Sequence, residues 1–198
     1  MKLNWAERLV VNNPARVAEQ LLQIRWMKKV MPLEPGARIL EIGCGRGAGA
    51  ALILKEFEPA VLHAMDLDVL MLKQAVRYLK PAQRERINVY AADAVHLPYA
   101  DGTMDAVFDF GALHHVPNWR RALSEISRVL KPGGTFFVEE LYPSLYQNVI
   151  TKHLLLHPTE DRFLSHDLRE AFEVANLTLK DSLELKAVGI LGVLTKTA

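Results

Sequence analysis

Several stretches carry side chains whose types and spacing could do chemistry. In the run Ile39-Leu40-Glu41-Ile42-Gly43-Cys44-Gly45-Arg46-Gly47, an acid precedes three alternate glycines. Glycine permits the positive φ that a sharp turn needs and lets a ligand lie against bare backbone. Asp66 follows about 20 residues later, the distance at which an acid can accept hydrogen bonds from ribose hydroxyls. Its other role would be to cap the next helix, but Asp68 is better placed to cap one that starts at Val69. Asp93, followed by Ala94, ends a third apolar run and is either a ligand-binding acid or a turn residue. His114 and His115 follow a fourth. An imidazole titrating at about pH 6.5 suits proton transfer, and either ring could instead pack and hydrogen-bond within its loop.

The elements that must position these groups are legible from periodicity. Ile39 to Ile42 reads as a buried strand and Ala50 to Phe57 as a helix. Strand, glycine turn and helix form the opening of a nucleotide-binding βαβ unit. Ala60 to Met65 is a second strand and Val69 to Leu79 a helix. Arg86 to Ala92 is a third strand, and Asp105 to Phe110 a fourth. Trp119 to Leu130 is an amphipathic helix with Leu123, Ile126, Val129 and Leu130 inward. Lys131-Pro132-Gly133-Gly134 stops it, and Thr135 to Glu139 begins a fifth strand. Ser165 is expected to cap a helix over Leu168 to Ala175. Leu177 to Leu185 and Val188 to Lys196 read as two strands in succession, an antiparallel addition to a parallel sheet. Ligands of open α/β sheets sit outside the carboxyl ends of the strands, so the loop after the fourth strand lies over the pocket.

Around this frame the expectations are looser. Residues 3–31 carry a helical pattern, with Asn13-Pro14 a natural helix start. That helix either covers the sheet edge or forms a lid, with Trp5 or Trp26 touching substrate. Glu139, Glu140 and Tyr142 follow the fifth strand and either line an acceptor pocket or serve as solvated and capping groups. Leu141 to Pro158 is expected to form a helix that caps the active site. His153 and His157 would share one helix face, but no third ligand accompanies them, so no metal site is expected. Cys44 reads as a small filler of the glycine turn, since no base or partner makes it reactive.

Composition bounds the class. A chain of 198 residues, half of them hydrophobic, is large enough for one domain with a full core. The formal charge of +1 leaves no basic footprint for nucleic acid. A single cysteine excludes an intrachain disulfide framework and suits a reducing cytoplasm. No signal peptide and no membrane span are expected from the apolar pattern.

The glycine turn alone leaves two cofactors open. Gly43-x-Gly45-x-x-Ala48 matches the dinucleotide pattern of nicotinamide oxidoreductases. The combination of Glu41-x-Gly43-x-Gly45-x-Gly47, Asp66, Ala92-Asp93-Ala94, the Asp105–Phe108 strand and Val129-Leu130-Lys131-Pro132-Gly133-Gly134 resembles, in order and spacing, the class I S-adenosylmethionine-dependent methyltransferases. It is closest to the small-molecule branch called methyltransferase type 11. The resemblance covers residues 36–140 and, by topology, the terminal hairpin.

It implies an α/β, Rossmann-like, seven-stranded, mostly parallel sheet in order 3-2-1-4-5-7-6, with helices on both faces. Residues 1–198 would form one domain, with 1–35 a helical N-terminal cap and 141–165 a segment capping the substrate. It implies methyl transfer from S-adenosyl-L-methionine to a small-molecule acceptor. Glu41, Gly43, Cys44, Gly45 and Gly47 would cradle the methionine part, and Asp66 would hold the ribose. Leu67 would pack on the purine, Asp93 and Ala94 would hold the adenine, and Gly111 would line the methionine side. Asp68 fits the acid or serine the family often has two residues after the ribose acid. Arg46 departs from its usual small or acidic residue. A NAD(P)-dependent oxidoreductase and a catalytically inactive cofactor-binding protein are the alternatives.

Overall fold

The computed structural model describes residues 13–146 and 162–197. Trp5, His153, His157 and most of the expected 141–158 helix lie outside the described residues. Seven strands form one sheet: β1 (Arg38–Ile42), β2 (Val61–Asp66), β3 (Ile87–Ala91), β4 (Met104–Phe110), β5 (Leu130–Leu141), β6 (Leu177–Leu185) and β7 (Gly189–Lys196). Their order is β3-β2-β1-β4-β5-β7-β6, the order expected from the sequence. The pairs from β3 to β5 are parallel, and β7 runs antiparallel to both β5 and β6. The helices are α1 (Pro14–Val30), α2 (Ala48–Phe57), α3 (Val69–Tyr78), α4 (Pro81–Arg84), α5 (Trp119–Val129), α6 (Pro143–Tyr146) and α7 (Ser165–Val174).

The central strands are continuous apolar runs because both of their faces are covered. On one face Phe57 of α2 packs edge-on against Phe108, whose ring stacks on Phe137 at 4.4 Å. Ile24 and Met27 of α1 are fully buried on the same side, so α1 is a structural wall. Trp26 packs into that wall and not into the ligand cleft. On the other face Trp119, Leu123 and Ile126 of α5 meet Phe136, Phe163 and Phe172. No described helix is long and apolar enough to cross a membrane.

Local chemistry sets the element ends. Asn13 caps α1 by accepting from the Ala15 N–H at 2.9 Å, and Asp68 caps α3 by accepting from the Leu70 N–H at 2.9 Å. Two expectations need correction. The Lys-Pro-Gly-Gly segment does not separate helix from strand: β5 begins at Leu130, and the four residues bulge between the pairs Met104–Leu130 and Ala106–Thr135. Ser165 does not cap α7 but lies in its first turn, and Asp167 reaches back to accept from the Leu164 N–H. After β5 the described part of the expected 141–158 helix holds a helical turn at Pro143–Tyr146, and its remainder lies outside the described residues.

A buried acid fastens α5 to the β3–β4 connection. Glu125 accepts from the Leu97 N–H at 2.9 Å and binds Arg128, whose guanidinium also donates to the carbonyls of Leu97 and Tyr99. Replacing Glu125 by alanine strands a buried N–H and releases Arg128. Glu125→Ala is expected to lower the unfolding free energy by about 2 kcal/mol, measured by urea denaturation. A loss within error of zero would show that the connection is held some other way.

Candidate cofactor cleft

The carboxyl ends of β1, β2, β3 and β4 open on a common cleft, the usual place for a ligand in an open α/β sheet. Its floor is the turn between β1 and α2. Gly43 has a φ of 62°, and a Cβ there would overlap that of Ala112. Gly45 and Gly47 also have positive φ, and Gly47 leads into α2. The alternate glycines therefore give a left-handed turn whose backbone forms the cleft surface.

That turn is tied to β2 at two points. The Cys44 N–H donates to the Met65 carbonyl at 2.8 Å, and the Gly45 N–H donates to Asp66 Oδ2 at 2.9 Å. Asp66 Oδ1 accepts from the Asp68 N–H at 2.8 Å, so each of its oxygens holds one backbone donor and keeps a lone pair. Burial pushes the Asp66 carboxyl above the ordinary aspartate value. Asp93 Oδ1 accepts from the Val95 N–H at 3.1 Å, in a tight turn closed by the His96 N–H on the Asp93 carbonyl.

Of the residues singled out by sequence, the cleft is lined by Gly43, Gly45, Asp66, Leu67, Asp93, Ala94, Gly111 and His115. Leu67 is half exposed there. Gly47 lies behind the turn against Ala75 and Leu79, and Cys44 is buried, its thiol pushed well up by burial and then by the charge of Glu41. Glu41 is buried beneath Gly49, where a Cβ would overlap its Oε1, and its Oε2 meets no donor among the described residues. Burial, then the charge of Asp66, hold the Glu41 carboxyl well above its usual range. His114 is also buried and does not line the cleft. Its Nδ1 shares a hydrogen bond with Glu140 Oε2 at 2.7 Å, and its ring lies 4.2 Å from that of His115.

Sequence reasoning passed over Asp109. It is fully buried, takes the Ala112 N–H on Oδ1 at 2.8 Å, and its Oδ2 meets no donor among the described residues; its protonated carboxyl donates to Glu140. Burial, then the neighbouring Glu140, push it well up. The signal was an acid inside the apolar run Val107-Phe108-Asp109-Phe110. Glu139 and Tyr142 turn elsewhere. Glu139 pairs with Arg16 of α1, and the Tyr142 hydroxyl donates to Glu184 Oε1 at 2.7 Å. No group of three or more metal-ligating side chains occurs among the described residues.

Glu140 gives the site a pH signature. It is fully buried and accepts the Leu113 N–H at 2.7 Å, and burial pushes its carboxyl up to about 8. An acid with a raised native value keeps its proton in the fold after the unfolded chain has released it. The contribution of Glu140 to stability is therefore greatest below the ordinary value of 4.5 and is lost as pH rises towards 8. Glu140→Gln is expected to flatten the pH dependence of unfolding in that window by up to about 1.4 kcal/mol per pH unit. Urea titrations across the window check it. Parallel slopes for the two proteins would place the proton elsewhere.

Comparison with known proteins follows the same segments. Residues 40–138 match the model of a family described as a methyltransferase domain. The phthiotriol/phenolphthiotriol dimycocerosates methyltransferase of Mycobacterium tuberculosis is 34% identical over 110 residues, 55% of this chain and 39% of the relative. The sterol 24-C-methyltransferase of Schizosaccharomyces pombe is 34% identical over 125 residues, 62% of this chain and 33% of the relative. The fatty-acid O-methyltransferase of Mycolicibacterium smegmatis is 35% identical over 108 residues, 54% and 38% of the two chains. The matched stretch thus spans only about a third to two fifths of the curated relatives. Among solved structures, a SAM-dependent methyltransferase from Aquifex aeolicus superposes with a TM-score of 0.78 at 17% identity, covering 99% of this chain and 100% of that one. The cyclase SpnF superposes at 0.71 with 19% identity, covering 91% and 82%. Those two likenesses establish the shared fold.

Proposed function

Because this chain belongs to the methyltransferase domain family that its residues 40–138 match, we propose that it transfers the methyl group of S-adenosylmethionine to a small apolar acceptor. One observation carries this choice over a dinucleotide enzyme: the charge of the cleft. Asp66, Asp68 and Asp93 line it, and no lysine or arginine does among the described residues. An acidic wall suits a ligand bearing an ammonium, a sulfonium and an exocyclic amine. It opposes the negative diphosphate of a dinucleotide.

The residues fit the cofactor part by part. Gly43 and Gly45 offer bare backbone to the methionine end, with Gly111 beside them. Glu41 Oε2, which meets no donor among the described residues, is an open acceptor behind the turn, with Gly47 and Cys44 shaping the turn. Asp66 has a lone pair on each oxygen for ribose hydroxyls. Leu67 offers an apolar surface to the purine. The Asp93 carboxylate can accept from the adenine amine while the Ala94 N–H donates to a ring nitrogen.

When bound, the cofactor supplies a methyl carbon already attached to a good leaving group. The chain's own work is then to bind, orient and exclude water, which can account for much of the acceleration. In transfer, an acceptor lone pair forms the new bond to carbon while the carbon–sulfur bond breaks with its pair going to sulfur. An acceptor O–H or N–H must also lose its proton. His115, at the cleft wall, is the candidate base. His114 lies behind it, oriented by Glu140, and is a positioning residue. The relatives named for sterol, fatty-acid and dimycocerosate substrates support an apolar small-molecule acceptor.

Calorimetric titration tests the proposal. S-adenosylmethionine and S-adenosylhomocysteine are expected to bind in the micromolar range and NADH not at all. Gly43→Ala is expected to weaken both by at least about tenfold, through its strained φ and its overlap with Ala112. Methyl transfer from radiolabelled cofactor to an apolar alcohol or phenol should follow. Tight NADH binding with no response to the other two would contradict it.

A further inference from the structure

A second cavity lies on the other side of the β4–β5 edge, between α1 and the β6–β7 hairpin. It is a groove open to solvent, lined by residues of α1, β5, β6 and β7. Sheet register explains its floor. Glu139 pairs with Leu191 and Leu191 with Leu183, while Leu141 pairs with Gly189 and Gly189 with Leu185. Residues directly opposite each other on neighbouring strands share a face, so these two rows lay an apolar floor with one acid at its inner corner. Leu183 and Leu185 are 55% and 68% exposed. Gly189 keeps the floor open, since a Cβ there would overlap the Glu140 carbonyl. Glu19 and Gln23 of α1 form the far rim.

The groove adjoins the cofactor cleft. Gly111 lines the cleft and donates its N–H to the Glu139 carbonyl at 2.8 Å, and Glu139 lines the groove. The Leu113 N–H likewise meets the carboxylate of Glu140, another groove residue. Segment 111–113 therefore joins the cleft, at the carboxyl end of β4, to the groove, at the carboxyl end of the neighbouring β5.

Charge narrows the occupant. No lysine or arginine lines the groove among the described residues. The nearby guanidiniums are committed: Arg16 binds Glu139 and Glu19, and Arg169 binds Glu184 at 2.5 Å. A carboxylate or phosphate head would meet the Glu139–Arg16 pair and, among the described residues lining the groove, no lysine or arginine to bind it.

We propose that this groove holds the methyl acceptor, and that the acceptor is an apolar molecule headed by a hydroxyl or an amine and not by an anion. The inference rests on the methyl-transfer reading. It sets this chain apart from a relative named for fatty acids, whose heads are carboxylates.

The test uses 1-decanol, decylamine and decanoate, below their micelle concentrations, titrated into the full chain loaded with S-adenosylhomocysteine. Decanol and decylamine are expected to bind, and decanoate at least about tenfold more weakly. Leu183→Gln combined with Leu185→Gln, both at exposed positions, is expected to weaken decanol about tenfold and leave S-adenosylhomocysteine affinity unchanged. Equal binding of decanoate, no binding of any probe to the loaded protein, or decanol affinity indifferent to the double substitution would each overturn the inference. If S-adenosylhomocysteine itself fails to bind, the methyl-transfer reading falls first and takes this inference with it.

Discussion

The hydrogen bond from the Gly45 N–H to Asp66 Oδ2 is the constraint on which the cleft depends. It pins the glycine turn after β1 to the end of β2, and its companion from Cys44 to Met65 fixes the turn's first residue. With both in place, Gly43 passes close under Ala112, and four strand ends converge on one space. Asp66 thus does two things with one carboxylate: it shapes the turn and presents its remaining lone pairs to the cleft.

The other organising feature is an excess of buried acid. Glu41, Asp66, Asp109 and Glu140 sit at or just behind the carboxyl ends of β1, β2, β4 and β5, and burial raises all four. Burying carboxyls costs stability unless donors or protons compensate. Backbone N–H groups of Gly45, Asp68, Ala112 and Leu113 compensate in part. Glu41 Oε2 meets no donor among the described residues. Perturbed acids gathered around a cleft mark functional sites, and a cationic ligand would supply the missing counter-charge. The same concentration of acid, carried into the neighbouring groove, argues against an anionic acceptor.

Much of this was legible in the sequence. The alternation of apolar runs with helical patterns located the strands and helices, and the resemblance to the class I methyltransferases implied their order in the sheet. The glycine spacing and Asp66, Asp93 and His115 fell where local pattern placed them, each just past a strand end. What was not legible depended on direction and on distant partners. His114 and His115 are adjacent, yet only the structure shows that His114 turns inward to Glu140. Glu41 precedes the turn but points beneath it. Asp109 looked like an irregularity in a strand until its neighbours across the sheet were known. The start of β5 at Leu130 reflects a bulge over Lys131 to Gly134, which local propensity reads as a stop.

Hydrogen–deuterium exchange with and without saturating S-adenosylhomocysteine tests the central claim most directly, because it reads the backbone at all four strand ends at once. Ligand is expected to slow exchange in peptides covering residues 43–47, 66–68, 92–95 and 110–113, and to leave the β6–β7 hairpin unchanged. Protection that is confined to other segments, or that misses the glycine turn while binding is independently verified, would contradict the account.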